Sequence, residues 1–166
     1  MFLRAAITRC FLALLVAFAL PAVTRAQFAK LADAGKDLAR KLKSRKPVLV
    51  GVTDFYSPDG GFSFQSHYLA AFVSAALQLY GKDHYRVAEH QSFDRDLARI
   101  SPTPAPSWTT EAIHLASASL GPSIIVTGTL EKKDATFFVN LSAVRVSDGV
   151  VVETESVDMY FSSLIQ

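Results

Sequence analysis

The sequence has little cysteine, little excess of charge of either sign and no repetitive composition. Its 166 residues include one cysteine, 17 basic and 15 acidic side chains, and half of the residues are apolar. A single cysteine excludes a disulfide-stapled scaffold, and the apolar content is too high for a disordered chain. The length fits one domain rather than two.

No apolar run is long enough for a membrane-spanning helix. The longest covers about ten residues, at 11–20, whereas a bilayer core of ~30 Å needs roughly 20. Two arginines precede this run, and Thr24 and Ala26 follow it as the small residues of a signal-peptidase site. We therefore predict a secretory signal peptide at 1–26, cleaved before Gln27. An uncleaved membrane anchor is the alternative.

The predicted signal peptide contains the sole cysteine and three of the basic side chains. Cys10 precedes the apolar run, so it cannot become the acylated first residue of a mature lipoprotein. We predict an exported, periplasmic protein that is not a lipoprotein. Without the peptide, 14 basic residues remain beside 15 acidic ones, a net charge of −1. That balance provides no overall basic field for nucleic acid.

Hydrophobic periodicity predicts helices and short strands in the first part of the mature chain. Apolar residues recur at helical spacing in three segments, 28–42, 63–80 and 93–100. Two segments rich in β-branched residues, 48–55 and 85–89, are predicted strands. Three prolines make 101–107 a loop. A further helix is predicted from Ser107 or Thr109 to Leu120.

The C-terminal part of the chain changes to strand-like alternation. Short polar connections join three β-rich runs, 123–130, 136–146 and 150–161. They predict an antiparallel meander in which Phe137, Val139 and Leu141 point toward the helices. Strand, helix and strand in the first half favour a parallel right-handed crossover. The prediction is a single α/β (α+β) domain at 27–166, with one mixed sheet and helices packed on it.

Histidine and serine are present, but not at the spacing of catalytic or metal-binding motifs. No serine lies in a Gly-x-Ser-x-Gly elbow, and no His-x-x-x-His or His-Glu-x-x-His pair occurs. His67 and Ser74 share the polar side of a predicted helix, which we interpret as solvated. We predict no catalytic residue, no metal and no cofactor.

His84 and His90 flank the predicted strand at 85–89. They could be neighbours of Glu89 or Asp94, which would provide metal-ligand chemistry. We interpret both as ordinary surface histidines.

The loop at 54–61 is the main candidate for a ligand site. Asp54 ends the first predicted strand and is followed by Asp59, Gly60 and Gly61. Ligands in α/β sheets usually bind at the carboxyl ends of strands, and a glycine pair exposes backbone amides. No phosphate-loop motif accompanies these residues. We therefore favour a plain turn that Asp54 orients.

The first predicted helix and its exit carry five more basic than acidic residues. Such runs are usually the solvated face of an amphipathic helix. Lys36, Arg40 and Lys43 recur at helical spacing beside the apolar stripe. They form our candidate interaction surface, for an acidic protein partner or for peripheral contact with an anionic membrane surface.

The order of several weak motifs resembles a bacterial envelope domain. The segments are 48–55, 68–73, 85–89, 120–121, 124–130 and 141–149. This domain is shared by the curli-secretion channel subunit (CsgG-like), the flagellar outer-membrane accessory protein FlgO and the amino-terminal domain of TolB. The resemblance covers roughly residues 28–158 and implies no catalytic residues. The sequence departs from these relatives in lacking a lipobox cysteine and hairpins long enough for a channel wall.

The resemblance implies a non-enzymatic accessory module for assembly, docking or secretion, with envelope proteins as partners. The alternative is a periplasmic small-molecule or glycan-binding sensor that uses the 54–61 loop. A hydrolase with an unrecognised site is the third hypothesis. Either a monomer or an oligomer is compatible with the sequence.

Overall fold

Three helices and a five-stranded mixed sheet make up the described part of the chain. The computed structural model describes residues 22–58, 64–100, 120–134 and 136–160. In chain order the elements are α1 (Ala22–Arg45), β1 (Leu49–Val52), α2 (Phe64–Gly81), β2 (Arg86–Val87), α3 (His90–Ile100), β3 (Ile124–Lys133), β4 (Thr136–Arg145) and β5 (Val151–Tyr160). The predicted fold class is confirmed. The predicted loop at 101–107 and all of the following helix except Leu120 lie outside the described residues.

Helix α1 is longer than the predicted segment 28–42. It begins at Ala22, upstream of the predicted cleavage point before Gln27, and the cleavage stays a prediction. Three leucines at helical spacing are fully buried: Leu31, Leu38 and Leu42. The helix ends because Lys46 adopts a left-handed conformation, with φ of 50°, and Pro47 has no backbone N–H to continue it. Among the described residues, no helix combines the length and apolar character needed to span a membrane.

Strand β1 lies at the centre of the parallel half of the sheet, between β2 and β3. It is shorter than predicted because its register with β3 changes after Val52. The N–H of Thr53 donates to the Val126 carbonyl at 3.0 Å, and the N–H of Tyr56 donates to the Gly128 carbonyl at 2.8 Å. The chain thus advances three residues from Thr53 to Tyr56, whereas β3 advances only two, from Val126 to Gly128. The extra residue is a one-residue bulge that takes Asp54 out of the ladder.

Strands β3, β4 and β5 form the predicted antiparallel meander. The turns between them contain the left-handed residues Asp134 and Gly149. Val139 and Leu141 are buried, and the partly buried Phe137 packs against the same core. The predicted orientation of this strand is therefore confirmed.

Helices cover both faces of the sheet. The larger core combines α1 and α2 with Val50 and Val52 of β1. The smaller core lies on the opposite face, where Phe93 and Leu97 of α3 pack against Ile125. Because successive strand residues face opposite sides, β1 contributes its valines to one core and Gly51 to the other.

Helix α3 begins at His90, three residues before its predicted start at 93. The carboxylate of Glu89 accepts the backbone N–H groups of Gln91 at 3.2 Å and Ser92 at 2.7 Å. These bonds satisfy donors that the first turn of a helix leaves free. The earlier start makes His90 part of the helix and sets its position relative to β1.

Candidate functional site

Asp54 lies at the carboxyl end of the parallel strand β1, in the bulge. Its side chain is only 14 % exposed, and its backbone N–H donates to Asp94 Oδ1 at 3.2 Å. The bulge explains the placement, because a residue outside the ladder can direct its side chain differently from a regular strand residue. Asp54 is thus a largely buried carboxylate held at the strand end where ligands commonly bind.

His90, at the start of α3, holds this carboxylate from one side. Its ring is 7 % exposed, so the prediction of a surface histidine is wrong. The physical reason is that α3 packs on the sheet beside β1 and carries His90 with it. Nδ1 of His90 lies 2.9 Å from the Val52 carbonyl oxygen, and Nε2 lies 3.0 Å from Asp54 Oδ1.

His67, near the start of α2, contacts the same carboxylate from the other side. Its Nδ1 lies 2.9 Å from Oδ1 and 3.1 Å from Oδ2 of Asp54. Its ring is 43 % exposed and its centroid is 5.1 Å from that of His90. The prediction that His67 and Ser74 are simply solvated is wrong, because His67 is bound to Asp54 and Ser74 is 3 % exposed. We call Asp54, His67 and His90 the Asp54 cluster.

The protons of the Asp54 cluster follow from its acceptors. A carbonyl oxygen can only accept, so Nδ1 of His90 donates to Val52. When Asp54 is ionised, its carboxylate also only accepts, and Nε2 of His90 then donates to it. With both nitrogens protonated, His90 is an imidazolium paired with the Asp54 carboxylate.

The electrostatics agree with this proton assignment. Burial by itself raises the pKa of Asp54, but the hydrogen bond from His90 and the charges of both histidines outweigh it, so the pKa is lowered. Burial by itself lowers the pKa of His90, but the bonds to Asp54 and to the Val52 carbonyl outweigh it, so the pKa is raised. Burial and the Asp54 charge raise the pKa of Asp94. The site therefore favours an ionised Asp54 carboxylate beside a protonated His90 ring.

The Asp54 cluster offers three atoms that can ligate a metal ion: one oxygen and two imidazole nitrogens. They all lie within 4.8 Å of one another. Sequence reasoning identified Asp54 as a candidate but did not join it to either histidine. The three residues are separated by 13 and 23 positions, so no motif spacing connects them. Asp59, Gly60 and Gly61, the rest of the predicted ligand loop, lie outside the described residues.

Six basic residues of α1, from Lys30 to Arg45, divide into two groups of three. Three of them pair with acidic residues of β5: Lys30 with Asp158, Lys41 with Glu155 and Arg45 with Glu153. The same three side chains also donate to backbone carbonyls of β5, namely those of Asp158, Thr154 and Val152. This group therefore covers the outer edge of the sheet.

The second group contains the predicted interaction surface. Lys36 and Arg40 are exposed and Lys43 is partly exposed. Arg40 pairs with Asp37 of the same helix at 2.6 Å, and Lys36 Nζ lies 5.8 Å from the centroid of the Tyr80 ring. Their role as an interaction surface remains a prediction.

Comparison with known proteins shows similarity in fold but not in sequence family. No protein-family model matches the chain, and no curated protein matches it. The C-terminal domain of LpoB from Escherichia coli superposes with a TM-score of 0.59 at 11 % identity, covering 79 % of this chain and 98 % of that domain. The Salmonella enterica LpoB C-terminal domain gives 0.57 at 12 % identity, with the same coverage. At such identities the likeness shows the fold alone.

Proposed function

We propose that this protein is a non-enzymatic accessory module of the bacterial cell envelope that acts by docking to other envelope proteins. The observation that carries the proposal is the fold, which matches nearly the whole length of the LpoB C-terminal domain. The predicted signal peptide supports export. The sequence resemblance to the CsgG-like, FlgO and TolB amino-terminal domains supports a role in assembly, docking or secretion.

The docking surface in this proposal is the second basic group of α1, Lys36, Arg40 and Lys43. The first group is engaged with the acidic side chains of β5, so its charges are neutralised within the domain. Lys36 and Arg40 remain exposed, and Arg40 also pairs with Asp37 of the same helix. The surface therefore suits an acidic protein partner, and its attraction will weaken as salt screens it over ~8 Å at physiological ionic strength.

The test is capture of envelope proteins by wild type and by a charge-reversed variant. The variant Lys36→Glu/Arg40→Glu/Lys43→Glu should keep the fold, because exposed substitutions usually change stability by no more than about 0.5 kcal/mol each. It should lose those partners that wild type captures at low salt and releases at high salt. Affinity capture from envelope extracts followed by mass spectrometry measures this.

A matched control has the same change of charge elsewhere on the surface. Lys82, Lys132 and Lys133 are exposed and lie outside α1, so Lys82→Glu/Lys132→Glu/Lys133→Glu should retain the partners. Equal capture by all three proteins would refute this docking surface. Flotation with anionic and neutral liposomes separates the second candidate, contact with an anionic membrane, since lipid binding needs no protein partner.

The alternative function is a small-molecule or glycan-binding sensor that uses the 54–61 loop. Its support comes from the surroundings of one loop residue. Asp54 is that residue, and its carboxylate is held between two imidazole rings. This environment suits a cation that displaces the shared protons, because with both histidines neutral all three side chains can present ligand atoms to a metal ion.

A further inference from the structure

We infer that Asp54, His67 and His90 form a binding site for one divalent transition-metal ion. The inference goes beyond the docking function and depends on different residues. It rests on three ligand atoms from three separate elements converging at the carboxyl end of a parallel strand. The candidate ligand atoms are a carboxylate oxygen of Asp54, Nδ1 of His67 and Nε2 of His90.

The two nitrogen–oxygen spacings in the cluster are close to those of a metal's coordination shell. Zinc–nitrogen and zinc–oxygen bonds of about 2.0–2.2 Å in a tetrahedron place neighbouring ligand atoms about 3.3 Å apart. The His67 Nδ1–Oδ1 and His90 Nε2–Oδ1 distances are 2.9 Å and 3.0 Å. An ion can therefore replace the two bridging protons if each nitrogen moves a few tenths of an ångström away from Oδ1 and the two nitrogens, which lie within 4.8 Å of each other, settle at the spacing of the shell.

Two further contacts orient the ligands from outside the cluster. The Val52 carbonyl accepts Nδ1–H of His90, which leaves Nε2 as the nitrogen that faces Asp54. Asp94 accepts the backbone N–H of Asp54 and so fixes the bulge. Metal-binding histidines usually have such a partner on the second nitrogen, which sets the tautomer and the ring orientation.

The donor set selects the class of ion. Imidazole nitrogen suits zinc, copper, iron and nickel, whereas calcium and magnesium prefer all-oxygen shells. Three protein ligands leave an open coordination position, and the exposed part of His67 gives the ion a route from solvent. A bound ion would join the bulge after β1 to the starts of α2 and α3, and it would stabilise the folded state by mass action.

The test uses untagged protein purified after export of the full chain and stripped of metal with EDTA. Zn²⁺ is the probe, followed by isothermal titration calorimetry and thermal unfolding. We expect one Zn²⁺ per chain and a melting temperature that rises with Zn²⁺ concentration. Co²⁺ in place of Zn²⁺ should give visible absorption bands that report its coordination by nitrogen and oxygen.

His67→Gln is the decisive variant, because the half-exposed side chain can change without disturbing the core. We expect it to weaken Zn²⁺ binding at least about 10- to 100-fold, the loss that even an outer partner of a ligand causes. His84→Gln is the matched control, since His84 is exposed and outside the cluster. The visible absorption bands of bound Co²⁺ should be lost in His90→Gln and in Asp54→Asn.

Two results would overturn the inference. One is a folded wild-type protein that neither binds Zn²⁺ nor changes its melting temperature. The other is Zn²⁺ binding that His67→Gln and His84→Gln affect equally. Neither result bears on docking, which is measured with the α1 variants and separate reagents.

Discussion

His90 shows how one buried side chain can couple the fold to pH. Its Nε2–H donates to Asp54 and its Nδ1–H donates to the Val52 carbonyl. The ring is nearly inaccessible, so its charge depends on these two acceptors to offset desolvation. Its pKa is raised above the ordinary value of 6.5.

We predict that the metal-free protein loses stability as pH rises through the folded-state pKa of His90. A raised pKa means that the folded state binds this proton more tightly than the unfolded state. The stabilisation is fully present below 6.5, the ordinary value, and disappears as the proton leaves the folded protein. We would measure the free energy of unfolding with urea, in EDTA, between pH 6 and 9. The value for His90→Gln should approach that of wild type at high pH. If the difference between the two proteins is independent of pH, His90 is not an imidazolium in the folded state.

The close contact between β1 and α3 depends on a glycine. A Cβ built on Gly51 would overlap Cζ of Phe93, at a separation that non-bonded carbon atoms do not reach. Gly51 therefore allows the Phe93 ring to lie directly on the central strand. This packing also places the beginning of α3, and with it His90, beside Asp54.

Gly51→Ala should reduce the free energy of unfolding by about 1–3 kcal/mol, the usual cost of overpacking a core. Phe93→Leu should also destabilise, but the double variant should be more stable than the sum of the two effects predicts, since the smaller side chain makes room for the methyl group. Chemical denaturation of the four proteins measures the coupling. If the two changes in unfolding free energy simply add, the Phe93 ring does not lie on Gly51.

Helix α1 protects the open edge of the sheet. Among the residues that the structure describes, β5 pairs only with β4, and such an edge is a template for pairing with another chain. Lys30 to Arg45 spans about 22 Å of helix, and Asp158 back to Val152 spans about 20 Å of strand. The two elements therefore run antiparallel with matched lengths, and the basic side chains reach the carbonyls of Asp158, Thr154 and Val152 along the strand.

We predict that Lys30→Gln/Lys41→Gln/Arg45→Gln associates more strongly with itself than wild type does. The loss of stability should be small, because exposed ion pairs contribute no more than about 1 kcal/mol each. Uncovering the edge, by contrast, exposes backbone acceptors to a second chain. Sedimentation velocity over a range of protein concentrations measures association. Lys82→Gln/Lys132→Gln/Lys133→Gln removes the same charge and should sediment like wild type; equal association of the two variants would assign the effect to net charge.

The fold could be predicted from local patterns, whereas the cluster could not. Helical and strand periodicity depend on neighbouring residues, and they place every strand of the sheet near its observed position. The Asp54 cluster depends on the register change after Val52 and on the start of α3 at His90. The register change is set by tertiary packing, and the start of α3 is set by the Glu89 carboxylate that accepts its first N–H groups. The sequence around Asp54, His67 and His90 therefore contains no motif that would join the three residues.

The two cores share one sheet, so a disturbed strand should unfold the domain as a unit. Val139 is fully buried at the middle of β4, opposite Leu130 on β3 and Val157 on β5. We predict that Val139→Asp abolishes cooperative unfolding, because it places an unpaired carboxylate in the larger core.

Asn140→Asp is the control for Val139→Asp. It adds the same charge at the next residue, on the opposite and exposed face of the strand. Ser156 Oγ, which donates to Asn140 Oδ1 at 2.8 Å, can donate equally well to a carboxylate. Circular dichroism during heating should therefore show a cooperative transition for Asn140→Asp and none for Val139→Asp. Because a shift of register by one residue exchanges the two faces, the opposite result would place Asn140 in the core and contradict the pairing of β4 with both of its neighbours.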